Sequence, residues 1–137
     1  MLRCIFSLDF DYRVLHTTHM ETLFGDYIRK RRETLKVEDT SFSLRQVASR
    51  IGVEPSYLSK VERGEQPPPS EKKIISLASE LRENPDVLLA MAGKVSSDLQ
   101  AVITRRPELF SQLIMELKDM PDHAVLKLVR EVRDGDW

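Results

Sequence analysis

The stretch from Ser43 to Gly64, SLRQVASRIGVEPSYLSKVERG, constrains this chain most, because its punctuation admits two short helices across a tight turn and little else. Ser43 can act as an N-cap, and Gln46 stands three residues on, which is capping-box spacing. Leu44, Val47, Ala48 and Ile51 then recur on one helical face. Gly52 suits the left-handed residue that ends a helix. Pro55 sits where a first helical residue belongs, since it has no N–H to leave unpaired. On the helix it opens, Leu58 and Val61 face inward, while Ser56, Tyr57, Ser59 and Lys60 point away. Gly64 stops that helix, and Pro67, Pro68 and Pro69 prevent its continuation.

Helices this short do not hold alone in water, so the flanking segments must supply a core. A second helix with a polar outward face is what a groove-reading element needs, and the pattern is a helix-turn-helix. The alternative is a helical hairpin with no nucleic-acid partner. Ser43-Leu44-Arg45-Gln46-Val47-Ala48, then Ile51-Gly52-Val53, then Pro55 through Gly64 resemble the Cro/C1-type (XRE) regulator family at nearly every motif position. The resemblance implies an all-α chain: a five-helix lambda-repressor-like DNA-binding domain over residues 20–93, followed by a short helical extension over 94–137. It implies base and phosphate contacts from Pro55, Ser56, Tyr57 and Lys60, and a backbone contact from Arg63. It also implies a structural ion pair between Arg32 and Glu62. Ser43, Arg45 and Gln46 are candidate phosphate contacts, because the free N–H groups at the start of their helix favour an anion. Glu54 occupies the N-cap position of the second helix and is expected to cap it rather than read a base.

Phosphate binding needs local positive charge, yet 21 Lys and Arg against 22 Asp and Glu give a formal net charge of −1. The expected footprint is therefore a local patch of Arg29, Lys30, Arg31, Arg32, Arg45, Lys60 and Arg63, with acidic residues elsewhere cancelling it in the total. Modest net charge predicts weak non-specific binding and moderate salt dependence. The single cysteine, Cys4, allows no internal disulfide, which fits a reducing cytoplasm. No apolar run approaches membrane-spanning length, and no secretory signal is expected.

Residues 1–19 do not share the helical rhythm. Phe6, Leu8, Phe10, Tyr12 and Val14 alternate with mostly polar residues, a strand-like period, and the segment reads as an extension outside the fold. Cys4, His16 and His19 lack the tight paired spacing of a structural zinc site, so no metal or other cofactor is expected. A first helix runs from Glu21 to about Leu35, and a polar insertion from Lys36 to Phe42 precedes the motif. A fourth helix spans Ser70 to Leu81, with Ile74, Ile75, Leu77, Ala78 and Leu81 inward. Asn84 and Pro85 open a fifth, which ends at Gly93. The expected core is Leu23, Phe24, Ile28, Leu44, Val47, Ala48, Ile51, Leu58, Val61, Ile74, Leu77, Ala78, Leu81, Val87 and Leu88.

Beyond residue 93, Ser97 with Gln100 repeats the capping-box spacing, and Pro107 and Pro121 start two further amphipathic helices. Too few residues remain there for an independent core, so their apolar stripes require a partner. A second copy is the preferred one, because groove-reading dimers match half-sites about one DNA turn apart. Packing on the chain's own DNA-binding domain is the alternative. The function these readings converge on is a DNA-binding transcriptional regulator, most simply a repressor acting as a dimer on an inverted repeat in double-stranded DNA. The competing function is an antitoxin or other partner-controlled protein that holds an antagonist with the 94–137 helices. Catalysis is not expected: no glycine-rich phosphate loop, nucleophile beside a base or distinct carboxylate pair stands out.

Overall fold

In the computed structural model, residues 17–137 are described, with side chains from Leu23 onward. The expectations for Cys4, His16 and the alternating 6–14 segment, and for the side chain of His19, lie outside the described residues. Those residues form eight α-helices and one 3-10 turn, with no strand among them. They divide into two compact units, one ending at Ser96 and the other spanning Ser97–Trp137.

The first unit contains α1 (Thr17–Glu38), a 3-10 turn (Thr40–Phe42), α2 (Leu44–Ile51), α3 (Pro55–Glu62), α4 (Glu71–Leu81) and α5 (Pro85–Met91). Its helix starts follow the sequence punctuation. The Ser43 and Ser70 hydroxyls accept from the backbone N–H groups of Gln46 and Lys73, and the Asn84 side chain accepts from those of Asp86 and Val87. Gly52 adopts φ 74°, a left-handed conformation that costs glycine nothing and lets the chain reverse between α2 and α3. The Lys73 ammonium donates to the Ile51 and Gly52 carbonyls, placing positive charge at the C-terminal end of α2.

The structure alters three expectations for this unit. α1 is longer than Glu21–Leu35 at both ends: it begins at Thr17, inside the segment expected to lie outside the fold, and Lys36, Val37 and Glu38 continue it instead of opening a loop. The expected insertion shrinks to Asp39 and the 3-10 turn, where the Asp39 carboxylate accepts from the Ser41 N–H at 2.9 Å. The core also differs at its margins. Phe42 and Leu89 are buried, whereas Leu23 is exposed and Leu44 and Val87 are half-buried. The buried stripe of α1 runs Phe24, Ile28, Arg32, and Leu23 falls one helical step off it. The same geometry leaves Ile75 exposed beside the buried Ile74, Leu77, Ala78 and Leu81.

The second unit contains α6 (Ser97–Arg105), α7 (Pro107–Leu117) and α8 (Asp122–Asp134), and none of these helices has a buried residue. Ser97 is the first helical residue of α6, so the cap position falls on Ser96 rather than on Ser97. Pro121 is likewise the residue before α8 and not its first. Ile103, Phe110, Leu117, Met120, Ala124 and Val125 are half-buried, and most other apolar residues of the unit are exposed.

Candidate nucleic-acid interface

Everything at this surface follows from how α3 is held. Leu58 and Val61 are 2% and 1% exposed, and they seat the helix in the core. A buried ion pair locks it to α1: Arg32 Nε donates to Glu62 Oε1 at 2.7 Å, and Nη2 donates to Oε2 at 3.1 Å. Arg32 also donates to the Phe42 carbonyl and to Glu33. Burial disfavours the charged guanidinium, but the Glu62 and Glu33 carboxylates outweigh it and raise the Arg32 pKa. The pair implied by the resemblance is thus present, with bidentate geometry and with its remaining donors used.

The second lock is backbone against backbone. A Cβ on Gly25 would collide with the Val61 carbonyl oxygen and lie 2.8 Å from that of Glu62. α1 therefore crosses the last turn of α3 at a separation no side chain allows. With one side sealed this way, α3 turns Ser56 and Lys60 to solvent, while Tyr57 and Ser59 are half-buried. Tyr57 packs partly against the core instead of pointing fully away. Pro55 is the first residue of the helix, as its missing N–H requires. Glu54 makes no side-chain capping bond, so the capping role expected of it is not made.

Ser43, Arg45 and Gln46 come together at the start of α2. Ser43 spends its hydroxyl on the Gln46 N–H. With its amide nitrogen turned inward, Gln46 donates to the Thr40 and Ser41 carbonyls at 2.9 and 3.2 Å. Gln46 therefore ties the 3-10 turn to α2 instead of completing a reciprocal capping box with Ser43. Arg45 is exposed. A shallow cleft of about 180 Å³ lies where α1, α2 and α3 meet, lined by Arg29, Arg32, Glu33, Leu44, Ser59, Glu62 and Arg63.

The expected basic patch does not survive as a patch. Lys30 pairs with Asp26 at 2.8 Å, one helical turn earlier. Arg31 turns the other way, donating to the Leu81 carbonyl and pairing with Glu83. Arg32 is buried on Glu62. Arg63 is engaged by Glu65 and by the Ser59 hydroxyl. Arg29, Arg45 and Lys60 remain, exposed and without a salt bridge to any described side chain. Sequence charge alone cannot separate these groups, because the partners of Arg31 and Arg32 lie 52 and 30 residues away.

Two features of the site were missed at the sequence level. Phe42 is buried, with the guanidinium carbons of Arg50 and Arg82 5.4 and 5.6 Å from its ring centroid. Its signal was available: Phe42 precedes the N-cap Ser43, and Val47 stands at the fourth helical position, the hydrophobic-staple pattern. Glu65 is the other, and the short spacing Arg63-Gly64-Glu65 was its signal.

Residues 23–91 match the family model described as a helix-turn-helix domain. Two uncharacterised HTH-type transcriptional regulators, from two strains of Mycobacterium tuberculosis, are each 44% identical over 69 residues, covering 50% of this chain and 45% of theirs. The chain spans about half the length of the curated relatives it matches. The crystal structure of the clp gene regulator ClgR from Corynebacterium glutamicum is similar with a TM-score of 0.43 and 24% identity, over 71% of this chain and 93% of that one. Among the described residues no helix is long and apolar enough to cross a membrane, and no group of three or more His, Cys, Asp or Glu side chains is placed to hold a metal.

Proposed function

The chain belongs to the helix-turn-helix domain family, and from that premise we propose that it is a sequence-specific transcriptional regulator, most simply a repressor. Membership sets it among DNA-binding proteins rather than enzymes. The observation that carries the reading is the asymmetry of α3: one side is fixed by Leu58, Val61 and the Arg32–Glu62 pair, and the other presents Ser56 and Lys60 to solvent. A helix held this way enters the major groove as a rigid element, with Ser56, Tyr57 and Lys60 reaching base edges or phosphates. Pro55 fixes the start of that helix close to the backbone. Arg45 and the N-terminus of α2 supply a phosphate contact beside it, with Ser43 and Gln46 shaping that end.

The domain organisation proposed is a DNA-binding domain over 20–93, to which the start of α1 adds residues 17–19, a 94–137 region that joins two copies, and a preceding N-terminal segment outside the fold. Two copies place two α3 helices on an inverted repeat, and occupancy over a promoter blocks polymerase. The setting is the cytoplasm. The exposed apolar faces of α7 and α8 also favour a second reading, in which a protein antagonist competes for the same helices.

Selection of bound sequences from random duplex DNA, with a mass measurement of the complex, tests the proposal. The expected result is two related half-sites whose centres lie about 10 base pairs or a multiple apart, bound by two chains. Recovery of no preferred sequence would overturn the DNA-reading role. A preferred half-site bound by one chain would overturn the dimer alone.

A further inference from the structure

At the C-terminal edge of α3, Arg63 donates through Nε and Nη2 to the two carboxylate oxygens of Glu65, at 3.1 and 3.0 Å, and through Nη1 to the Ser59 hydroxyl at 2.8 Å. The backbone holds Glu65 in place independently, because its N–H donates to the Lys60 carbonyl at 2.8 Å across the turn at Gly64. Both side chains are about half exposed. A surface pair of this kind contributes little to stability, so holding the fold together does not account for it. What it changes is the field at the surface that faces DNA. The hydrogen bonds from Arg63, and then the charges of Arg63 and Lys60, hold the Glu65 carboxyl below the usual carboxylate range. Glu65 therefore keeps its charge more readily than a free carboxyl does, and it acts on the two basic residues beside it, Arg63 and Lys60.

We propose that Glu65 sets how tightly the protein holds DNA of any sequence, because it neutralises Arg63 and so withholds one sequence-independent phosphate contact from the recognition helix. The inference rests on the DNA-binding reading above. The same logic runs through the neighbouring charges, since Asp26, Glu83 and Glu62 occupy Lys30, Arg31 and Arg32 in turn. Those pairs sit on or within the body of the fold. The Glu65 pair differs because it is exposed and lies at the C-terminal edge of the reading helix, just past Glu62 and close to Lys60. Phosphate attraction is shared by every DNA sequence, so reducing it lowers binding to every site alike and leaves base discrimination as it was. Ser56 and Lys60 are then left to decide which sequence is held.

The test compares wild type, Glu65→Gln and the double variant Arg63→Ala/Glu65→Gln, each as the full chain. They are measured on random duplex DNA and on the sequence that wild type selects, across a salt series. Glu65→Gln is expected to bind random DNA about three- to tenfold more tightly, with a salt slope steeper by about one. The selected sequence should gain by a similar factor, so that the ratio of the two affinities stays the same, and both gains should vanish in the double variant. Random-DNA affinity that is unchanged or weaker in Glu65→Gln would overturn the inference, and a loss confined to the selected sequence would mean that Glu65 buttresses Arg63 instead. Failure of wild type to prefer any sequence would count against the DNA-reading role itself, which keeps the two failures apart.

Discussion

α4 and α7 are both eleven residues long and both amphipathic, yet they end in opposite circumstances. α4 buries Ile74, Leu77, Ala78 and Leu81 completely, each at most 1% exposed. α7 buries nothing, and its Leu109, Leu113 and Ile114 are 64%, 49% and 54% exposed. A stripe of apolar residues states that a face needs cover; it does not state what covers it. In the first unit the cover comes from α1, α2 and α5 of the same chain, and a buried ion pair fits inside because the packing around it is closed. In the second, three helices share only a thin layer of half-buried residues around Phe110 and Leu117.

Five substitutions would break or sharpen that contrast. The largest effect is expected from Glu62→Ala, which leaves the Arg32 guanidinium buried without its partner and should cost about 3–5 kcal/mol in denaturant unfolding. A cost under 1 kcal/mol would show that water reaches the pair and that the first unit is less closed than its burial implies. Leu77→Ala should cost about 2–5 kcal/mol by the same measurement. Leu113→Ala in α7 should stay within about 0.5 kcal/mol in the isolated chain, as a surface substitution does. A cost at Leu113 comparable to that at Leu77 would show that α7 is covered in solution. Leu113→Asp then separates the occupants: loss of the two-chain mass with unchanged unfolding of the first unit supports the proposed dimer, and retention of that mass removes α7 from the interface.

The smallest effect belongs to Asp39. Its hydrogen bonds from Ser41 hold the carboxyl below its ordinary pKa. A carboxylate depressed in the folded state stabilises above its unfolded pKa, near 3.8, and that contribution is lost as pH falls through the lower folded value. Asp39→Asn should therefore lower the melting temperature slightly at neutral pH, with the difference from wild type shrinking below about pH 4. A difference that persists unchanged in acid would assign the effect to shape rather than charge.

What could be read from the residues was whatever local chemistry dictates. Ser43, Ser70 and Asn84 cap because a side-chain oxygen next to unpaired N–H groups has one favourable use, and Gly52 and Pro55 turn the chain for reasons contained in their own geometry. The helix-turn-helix and its inward residues followed. What could not be read depended on partners distant in sequence. Nothing near Arg31 announces the Leu81 carbonyl or Glu83, and a run of four basic residues looks the same whether it meets phosphate or folds inward. Glu54 shows the converse limit: it occupies a capping position by sequence, but its side chain makes no capping bond. Phe42 was legible only through its staple spacing to Val47, because it stands as a single apolar residue at the end of a polar stretch that the longer α1 and the 3-10 turn bring into the core.

The absence of a side chain at Gly25 has a consequence for how such a protein changes over generations. Main chain resting on main chain holds α3 without reference to the side chains proposed to touch a base. Ser56 and Lys60, both exposed, are then free to vary while the angle at which they are presented stays the same. On the proposed reading, new preferences for DNA are reachable one residue at a time, whereas a side chain at Gly25 would displace the helix that presents them.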